Sequence, residues 1–214
     1  MLRRLDFFRV RRVEIDGTRY VSPDEIVSRL RMDTSASIWD DVAVLERRVR
    51  RHPSVRDVHI ERKLPGTLLV RVTEDLPVAL VQAATGLVPV DEMGKSLPID
   101  PATANVDLPV LLERDTLALR VLSEVRAKSP TLFARIGEVR RLSRGDRMFR
   151  LTESSPNLFH DVLVSSSVTA ERLSEVVPVE QDLARRRARV IELDLRFRDQ
   201  IIARLAREET KHEP

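Results

Sequence analysis

Cysteine is absent from the 214 residues, which excludes disulfides, thiol nucleophiles and thiolate metal sites and leaves the redox compartment open. Aromatic residues make up only 4%, too few for a base-stacking platform on single-stranded nucleic acid. No run reaches the roughly 20 apolar residues of a membrane span. The start, Met1 to Val10, is arginine-rich and lacks an apolar core, so no signal peptide is visible. Lysine is scarce too: among 37 basic side chains only Lys63, Lys95, Lys128 and Lys211 are lysines, the rest being arginine. Arginine holds its charge to very high pH. The isoelectric point of about 9.8 therefore reports arginine usage, since the net charge is only +3. Acidic residues are interspersed with the arginines, which weakens a nucleic-acid reading.

What is present is well-patterned. The 42% hydrophobic and 33% charged residues suit packed cores under a solvated surface. Val10–Ile15 reads as a strand closed by the turn pair Asp16-Gly17. Ser22-Pro23-Asp24-Glu25 predicts a helix start with a capping box between Ser22 and Glu25, followed by an apolar stripe of Ile26, Val27 and Leu30. A second helix is predicted from Asp40 or Asp41 to about Arg51, burying Val42, Leu45 and Val49. Alternation then gives strands Val55–Arg62 and Thr67–Glu74 around Lys63-Leu64-Pro65-Gly66. Beyond Leu76 the pattern shifts to short strands with turn signals. Strands are predicted at Val78–Gln82, Leu87–Val90, Ser96–Ile99, Glu138–Leu142, Arg147–Thr152, Val162–Val164, Val190–Phe197 and Gln200–Leu205. Helices are predicted at Asp115–Lys128 and from Thr169 to about Arg187, the latter interrupted or kinked at Pro178.

Reactive constellations are hard to find. His52, His59, His160 and His212 are scattered and lack metal spacing, so structural roles are expected. Asp40 and Asp41 suit helix capping better than acid/base work, and Asp91 with Gly94 suits a turn. No serine lies in a nucleophile elbow and no glycine-rich loop could cradle phosphate. No catalytic, cofactor-binding or metal residue is therefore expected, and no enzyme activity. The run Arg185-Arg186-Arg187-Ala188-Arg189 fits a helix C-terminus, where cations oppose the dipole, better than a patch for nucleic acid or anionic lipid. Trp39 is expected in the core, with a partner-facing anchor as the alternative.

Several linked motifs resemble the POTRA domain of FtsQ/DivIB division proteins. They are Val13-Glu14-Ile15-Asp16-Gly17, His52-Pro53-Ser54-Val55, Arg62-Lys63-Leu64-Pro65-Gly66-Thr67-Leu68 and Glu74-Asp75-Leu76-Pro77-Val78-Ala79. Val90-Asp91-Glu92-Met93-Gly94 and Asp194-Leu195-Arg196-Phe197 resemble later signatures of the same family. Val81 departs from the pattern, standing where an aromatic residue is often found. The resemblance implies an α+β fold: a POTRA domain (β-α-α-β-β) followed by a mixed β-sheet domain with two helices. The implied division is a membrane-proximal stub (1–9), the POTRA domain (10–75), the β-domain (76–206) and a charged tail (207–214).

The resemblance further implies a non-enzymatic scaffold of the division site, without cofactor, helping to control septal peptidoglycan synthesis. Its implied partners are FtsB and FtsL on the β-domain and FtsK or other upstream division proteins on the POTRA domain. It also implies a membrane helix upstream of Met1, with this part extracytoplasmic at the septum. The FtsB-like partner is expected on the last strand, at Phe197, Gln200, Ile201, Ile202, Ala203 and Arg204, where Ile202→Pro should remove an edge amide. The rival readings are a single-POTRA envelope-assembly or secretion factor and a basic nucleic-acid-binding protein.

Overall fold

The computed structural model describes residues 6–84, 86–102, 107–152 and 159–206; the expected charged tail 207–214 and His212 lie outside the described residues. The chain forms two compact units. One runs through Leu76 and includes Leu97–Asp100; the other comprises Pro77–Ser96 and the residues from Pro101 onward. Among the described residues no helix is long and apolar enough to cross a membrane.

The first unit runs β1 (Arg12–Asp16), α1 (Pro23–Leu30), α2 (Val42–Arg50), β2 (Val55–Lys63), β3 (Thr67–Glu74). Its sheet has the order β1-β3-β2, with β1 parallel and β2 antiparallel to β3. The period-2 pattern sets the register: Val58 faces Val72 and Ile60 faces Val70, so one sheet face is apolar. Ile26, Leu30, Leu45 and Val49 bury against it. Gly17 has φ +85°, and a β-carbon there would lie 2.2 Å from the Val72 carbonyl oxygen, so glycine is required for the turn to close on β3.

The helix starts differ from expectation. Asp41 caps α2 by accepting from the Ala43 amide at 2.9 Å, whereas the Ser22 side chain makes no cap bond to α1. Glu25 turns away from the helix end to His52, 2.9 Å distant, so the capping box does not form. Buried Glu74 fixes the entry to α1 instead, accepting from the amides of Arg19, Tyr20 and Val21 at 2.9 Å each. Val27 falls outside the buried stripe and is exposed. Trp39 packs partly buried against this core, edge-on to Phe8 at 5.8 Å, with the Arg62 guanidinium 6.0 Å from its ring.

In the second unit the elements are β4 (Ala79–Ala83), β5 (Gly86–Val90), β6 (Val110–Leu111), α3 (Thr116–Lys128), α4 (Pro130–Phe133), β7 (Ile136–Arg141), β8 (Arg147–Thr152), β9 (Phe159–Val164), α5 (Ala170–Ser174), α6 (Val176–Arg185), β10 (Val190–Asp194) and β11 (Ile202–Leu205). They build one eight-stranded mixed sheet, β11-β10-β9-β8-β7-β6-β4-β5. A single apolar row crosses all eight strands in register: Ala203, Leu193, Val162, Phe149, Val139, Leu111, Val81 and Val88. Leu119, Leu122 and Val125 of α3, Leu173 of α5 and Val176 of α6 join the same core. Replacing a fully buried leucine such as Leu122 by alanine removes its burial and leaves a cavity, a cost of about 2–5 kcal/mol.

The helix predicted from Thr169 breaks at Glu175, before Pro178. Pro178 then lies in the first turn of α6, where its missing N–H has no intrahelical partner to lose. The predicted Ser96–Ile99 strand is reduced to one bridge between Ser96 and Val90. Asp115, at the start of α3, accepts from the Leu117 and Ala118 amides and is gripped by Arg147 at 2.8 and 2.9 Å, both side chains buried. Burial raises the Asp115 pKa, but the Arg147 and amide bonds outweigh it and hold the carboxyl below its usual range.

Candidate partner-binding edge

β10 stops three residues short of the predicted Phe197, and the Asp194-Leu195-Arg196 signature explains why. Asp194 accepts from the Arg196 amide at 3.0 Å and binds its guanidinium at 2.9 and 2.6 Å. This side-chain turn takes the backbone out of the strand. Hydrogen bonding to Arg196 holds Asp194 below the usual carboxylate range, and Arg196 also reaches Asp146 at 3.4 Å. Leu195 between them is buried, its amide donating to the Leu163 carbonyl of β9 at 2.8 Å. The signature thus ends one strand and anchors the loop that launches the next.

That loop leads to β11, the terminal strand of the sheet, which pairs antiparallel with β10 and, among the described residues, with no other strand. Backbone groups of successive strand residues point to alternate sides. Leu195 addresses β9, so Asp194 and Glu192 address β11, opposite Ile202 and Arg204. The Ala206 amide, which donates to the Arg189 carbonyl at 2.8 Å, keeps the same phase. The outward row of amides and carbonyls therefore belongs to Ala203 and Leu205. The expectation that Ile202→Pro removes an edge amide is corrected: the Ile202 amide faces β10, and Ala203 carries the outward one.

The six residues expected at this edge divide by position. Phe197 and Gln200 sit exposed in the loop, and Ile201 just precedes β11 with its side chain packed on the core. Ile202, Ala203 and Arg204 lie in the strand. Ile202 is 49% exposed while Ala203 packs inward. Arg204 is paired with its cross-strand neighbour Glu192 at 3.0 Å.

One side chain that the sequence did not single out fixes this region. Arg172, near the start of α5, donates to the carbonyls of Leu195 (3.4 Å), Phe197 and Gln200 (2.9 Å) and pairs with Glu175. A single guanidinium, with its fork of donors, can hold three carbonyls of one loop. An arginine in a helix gives no sequence signal for that task. Behind the edge, Glu180 of α6 accepts from Arg135 at two 2.7 Å contacts and faces buried His160 of β9 at 2.9 Å. Burial disfavours the Glu180 charge, yet the bonds from Arg135 and His160 prevail and hold its pKa below the ordinary value.

The other candidate residues take structural places. His52 is buried, accepting from the Ser54 amide at Nδ1 (3.1 Å), which leaves its Nε2–H to donate to Glu25. His59 is exposed on β2. Asp91 is buried in its turn, accepting from the Met93 and Lys95 amides at 2.9 Å. Arg185 and Arg186 close α6 and pair with Asp182. Among the described residues no group of three or more His, Asp or Glu side chains can hold a metal ion.

A β-α-α-β-β unit followed by a mixed sheet whose last strand, among the described residues, is paired on one side defines an α+β protein with a POTRA-like unit joined to a β-rich unit. The family model "POTRA domain, FtsQ-type" matches residues 8–75. Cell division protein FtsQ of Rhodothermus marinus is 30% identical over 217 residues, covering 94% of this chain and 79% of that protein. Cell division protein DivIB of Geobacillus kaustophilus is 30% identical over 102 residues (47% of this chain, 39% of that protein). Cell division protein FtsQ of Myxococcus fulvus is 26% identical over 209 residues (89% and 71%). The chain belongs to the FtsQ/DivIB family of bacterial cell division proteins.

Proposed function

We propose that this chain is the extracytoplasmic part of a non-enzymatic divisome scaffold that captures FtsB, in complex with FtsL, by strand addition along β11. On this reading a membrane helix upstream of Met1 anchors it in the inner membrane at the septum. The POTRA unit meets FtsK or other upstream division proteins, and the capture of FtsB helps control septal peptidoglycan synthesis. The observation that carries the reading is that, among the described residues, β11 at the end of the sheet is paired on one side alone. A partner strand there would bond the backbone groups of Ala203 and Leu205, each bond adding about 0.5–1.5 kcal/mol. Exposed Phe197, Ile202 and Leu205 offer apolar contacts beside that row.

Calorimetric titration of an FtsB segment into the purified chain tests the proposal. Phe197→Ala should weaken binding by about tenfold, an amount in line with truncating one aromatic anchor. Arg204→Ala is preferable to Arg204→Glu, which would oppose two carboxylates across the strands at Glu192. If the folded parent chain does not bind the segment, or Phe197→Ala and Arg204→Ala both bind it as tightly as the parent, the assignment of this edge is wrong.

A further inference from the structure

The POTRA sheet has a long edge of its own, and it is finished in an unusual way. β2 spans nine residues and, among the described residues, pairs with β3 alone, so its other side is an edge. The Ile60 amide does not end in solvent: it donates to Glu46 Oε1 at 2.9 Å. Two residues earlier the Val58 carbonyl accepts from Arg50 Nη2 at 3.1 Å, and Arg50 also binds Asp57 at 2.7 Å. Residues two apart in a strand point their backbone groups the same way, so both are edge groups. Glu46 and Arg50 are four apart on α2, hence on one helical face. One acidic and one basic side chain thus occupy an outward donor and an outward acceptor of the edge.

The strand beneath this cover is self-complementary. Asp57, His59, Glu61 and Lys63 form its solvent face. An antiparallel pair of β2 strands centred on Ile60 sets Ile60 against Ile60 and Val58 against Arg62, aligning the outward backbone rows. The same register sets Asp57 against Lys63 and His59 against Glu61, so every exposed pair is of opposite type. Shifting the centre to His59, the next register that aligns those rows, opposes Asp57 to Glu61 and Arg56 to Arg62, which is repulsive. A two-fold axis through Ile60 gives a closed, isologous contact.

We infer that Glu46 and Arg50 are an edge guard, closing a latent homodimer site in which β2 of a second copy pairs antiparallel about Ile60. The guard keeps the POTRA sheet from adding strands, so partners of this unit meet its side chains and leave its β2 backbone unpaired. Arg50 holds Asp57 in the single chain; its removal frees that carboxylate for Lys63 of the second copy, which exchanges Glu14 for it.

Sedimentation equilibrium on the full chain tests the inference. The Glu46→Ala/Arg50→Ala variant should self-associate at least about tenfold more tightly than the parent, a gain of about 1.4 kcal/mol or more by the affinity scale. Adding Asp57→Lys should abolish the gain, and adding Lys63→Asp to that chain should restore it. A folded double variant that associates no better than the parent overturns the inference, as does a gain that survives Asp57→Lys. Should the double variant fail to fold, Glu46→Ala alone is measured against the same charge changes. Amide exchange at Ile60 gives an independent reading: it should quicken in Glu46→Ala while Val70 is unchanged, and an unchanged Ile60 means there is no guard.

Discussion

The two ends of the eight-stranded sheet, β5 and β11, are exposed to the same hazard and finished in opposite ways. In β4 the Leu80 amide donates to the Pro109 carbonyl at 2.9 Å, so Leu80 addresses β6, and Val81 and Ala79 address β5. The outward row of β5 therefore belongs to Leu87 and Pro89, and proline has no N–H to offer. The chain then returns through the Asp91 turn, and Ser96 bridges Val90 on the outer side. At the other end, β11 has, among the described residues, no strand on the outward row of Ala203 and Leu205, which lies beside exposed Ile202. Natural sheets blunt edges that must stay unpaired, so the contrast is what the proposed capture of a partner strand at β11 would require.

The sharpest way to break this comparison is to exchange the two finishes. Ala203→Pro should lower affinity for the FtsB segment by about 100-fold, combining one lost edge bond with the clash of the ring against the incoming strand. The matched change Leu87→Pro, on the outward row of β5, should leave that affinity unchanged. Titration calorimetry on both folded variants decides: equal losses, or no loss at Ala203, would mean that the edges do not differ in function. Ile202→Pro is the contrasting control, because its amide bonds β10 and the change should lower thermal stability as well as binding.

A second test concerns what keeps the open edge in place. β11 rests on β10 and β10 on β9, and β9 is tied to α6 by His160 and Glu180. The folded-state pKa of Glu180 is depressed below its ordinary value of 4.5. A depressed carboxylate contributes stability that is complete above its unfolded pKa and lost as pH falls through its folded pKa. Glu180→Gln should therefore lower stability at pH 7 by about 1.5–3 kcal/mol, as expected for bonds to a charged group. The difference from the parent should shrink as pH falls below about 4.5. Urea denaturation at pH 7 and pH 3 measures both. A difference that is the same at the two pH values would show that the Glu180 charge does nothing for this half of the sheet.

How much of this was legible follows from what each feature depends on. The POTRA strands were readable because Val58, Ile60, Leu68, Val70 and Val72 alternate, and alternation is local. The Asp115 and Asp41 caps were likewise written in a few adjacent residues. The capping box at Ser22 failed because Glu25 had a distant competitor in His52, which no local pattern reveals. The ends of β10 and β11 were misjudged because apolar Leu195, Phe197 and Ile201 continue the strand pattern while the Asp194–Arg196 turn interrupts the backbone. The candidate edge was proposed from the terminal strand and its signature, but the phase of its amide row was not legible there. That phase is set by β9, a parallel neighbour 31 residues upstream in register, Asp194 against Leu163. Arg172 is the extreme case, since its task exists only once α5 and the loop meet.

The smallest expected effect comes from restoring what β5 lacks. Pro89→Val returns an N–H to the outward row without introducing charge, and valine suits a strand. Pro89 is buried beside Leu80, its cross-strand neighbour, and the replacement is of similar bulk, so the fold should persist with a stability change under about 1.5 kcal/mol. The opened stretch is short, because the bridge between Val90 and Ser96 still covers the strand's end. Self-association should therefore rise only about threefold, the worth of roughly one backbone hydrogen bond at the low end of its range. Sedimentation at matched concentrations would register that. The rise should disappear when Leu87→Pro is added, since the outward row then loses its other donor. A folded Pro89→Val chain no more associated than the parent would show that the Ser96 bridge alone blunts β5, leaving the proline no part in the difference between the two edges.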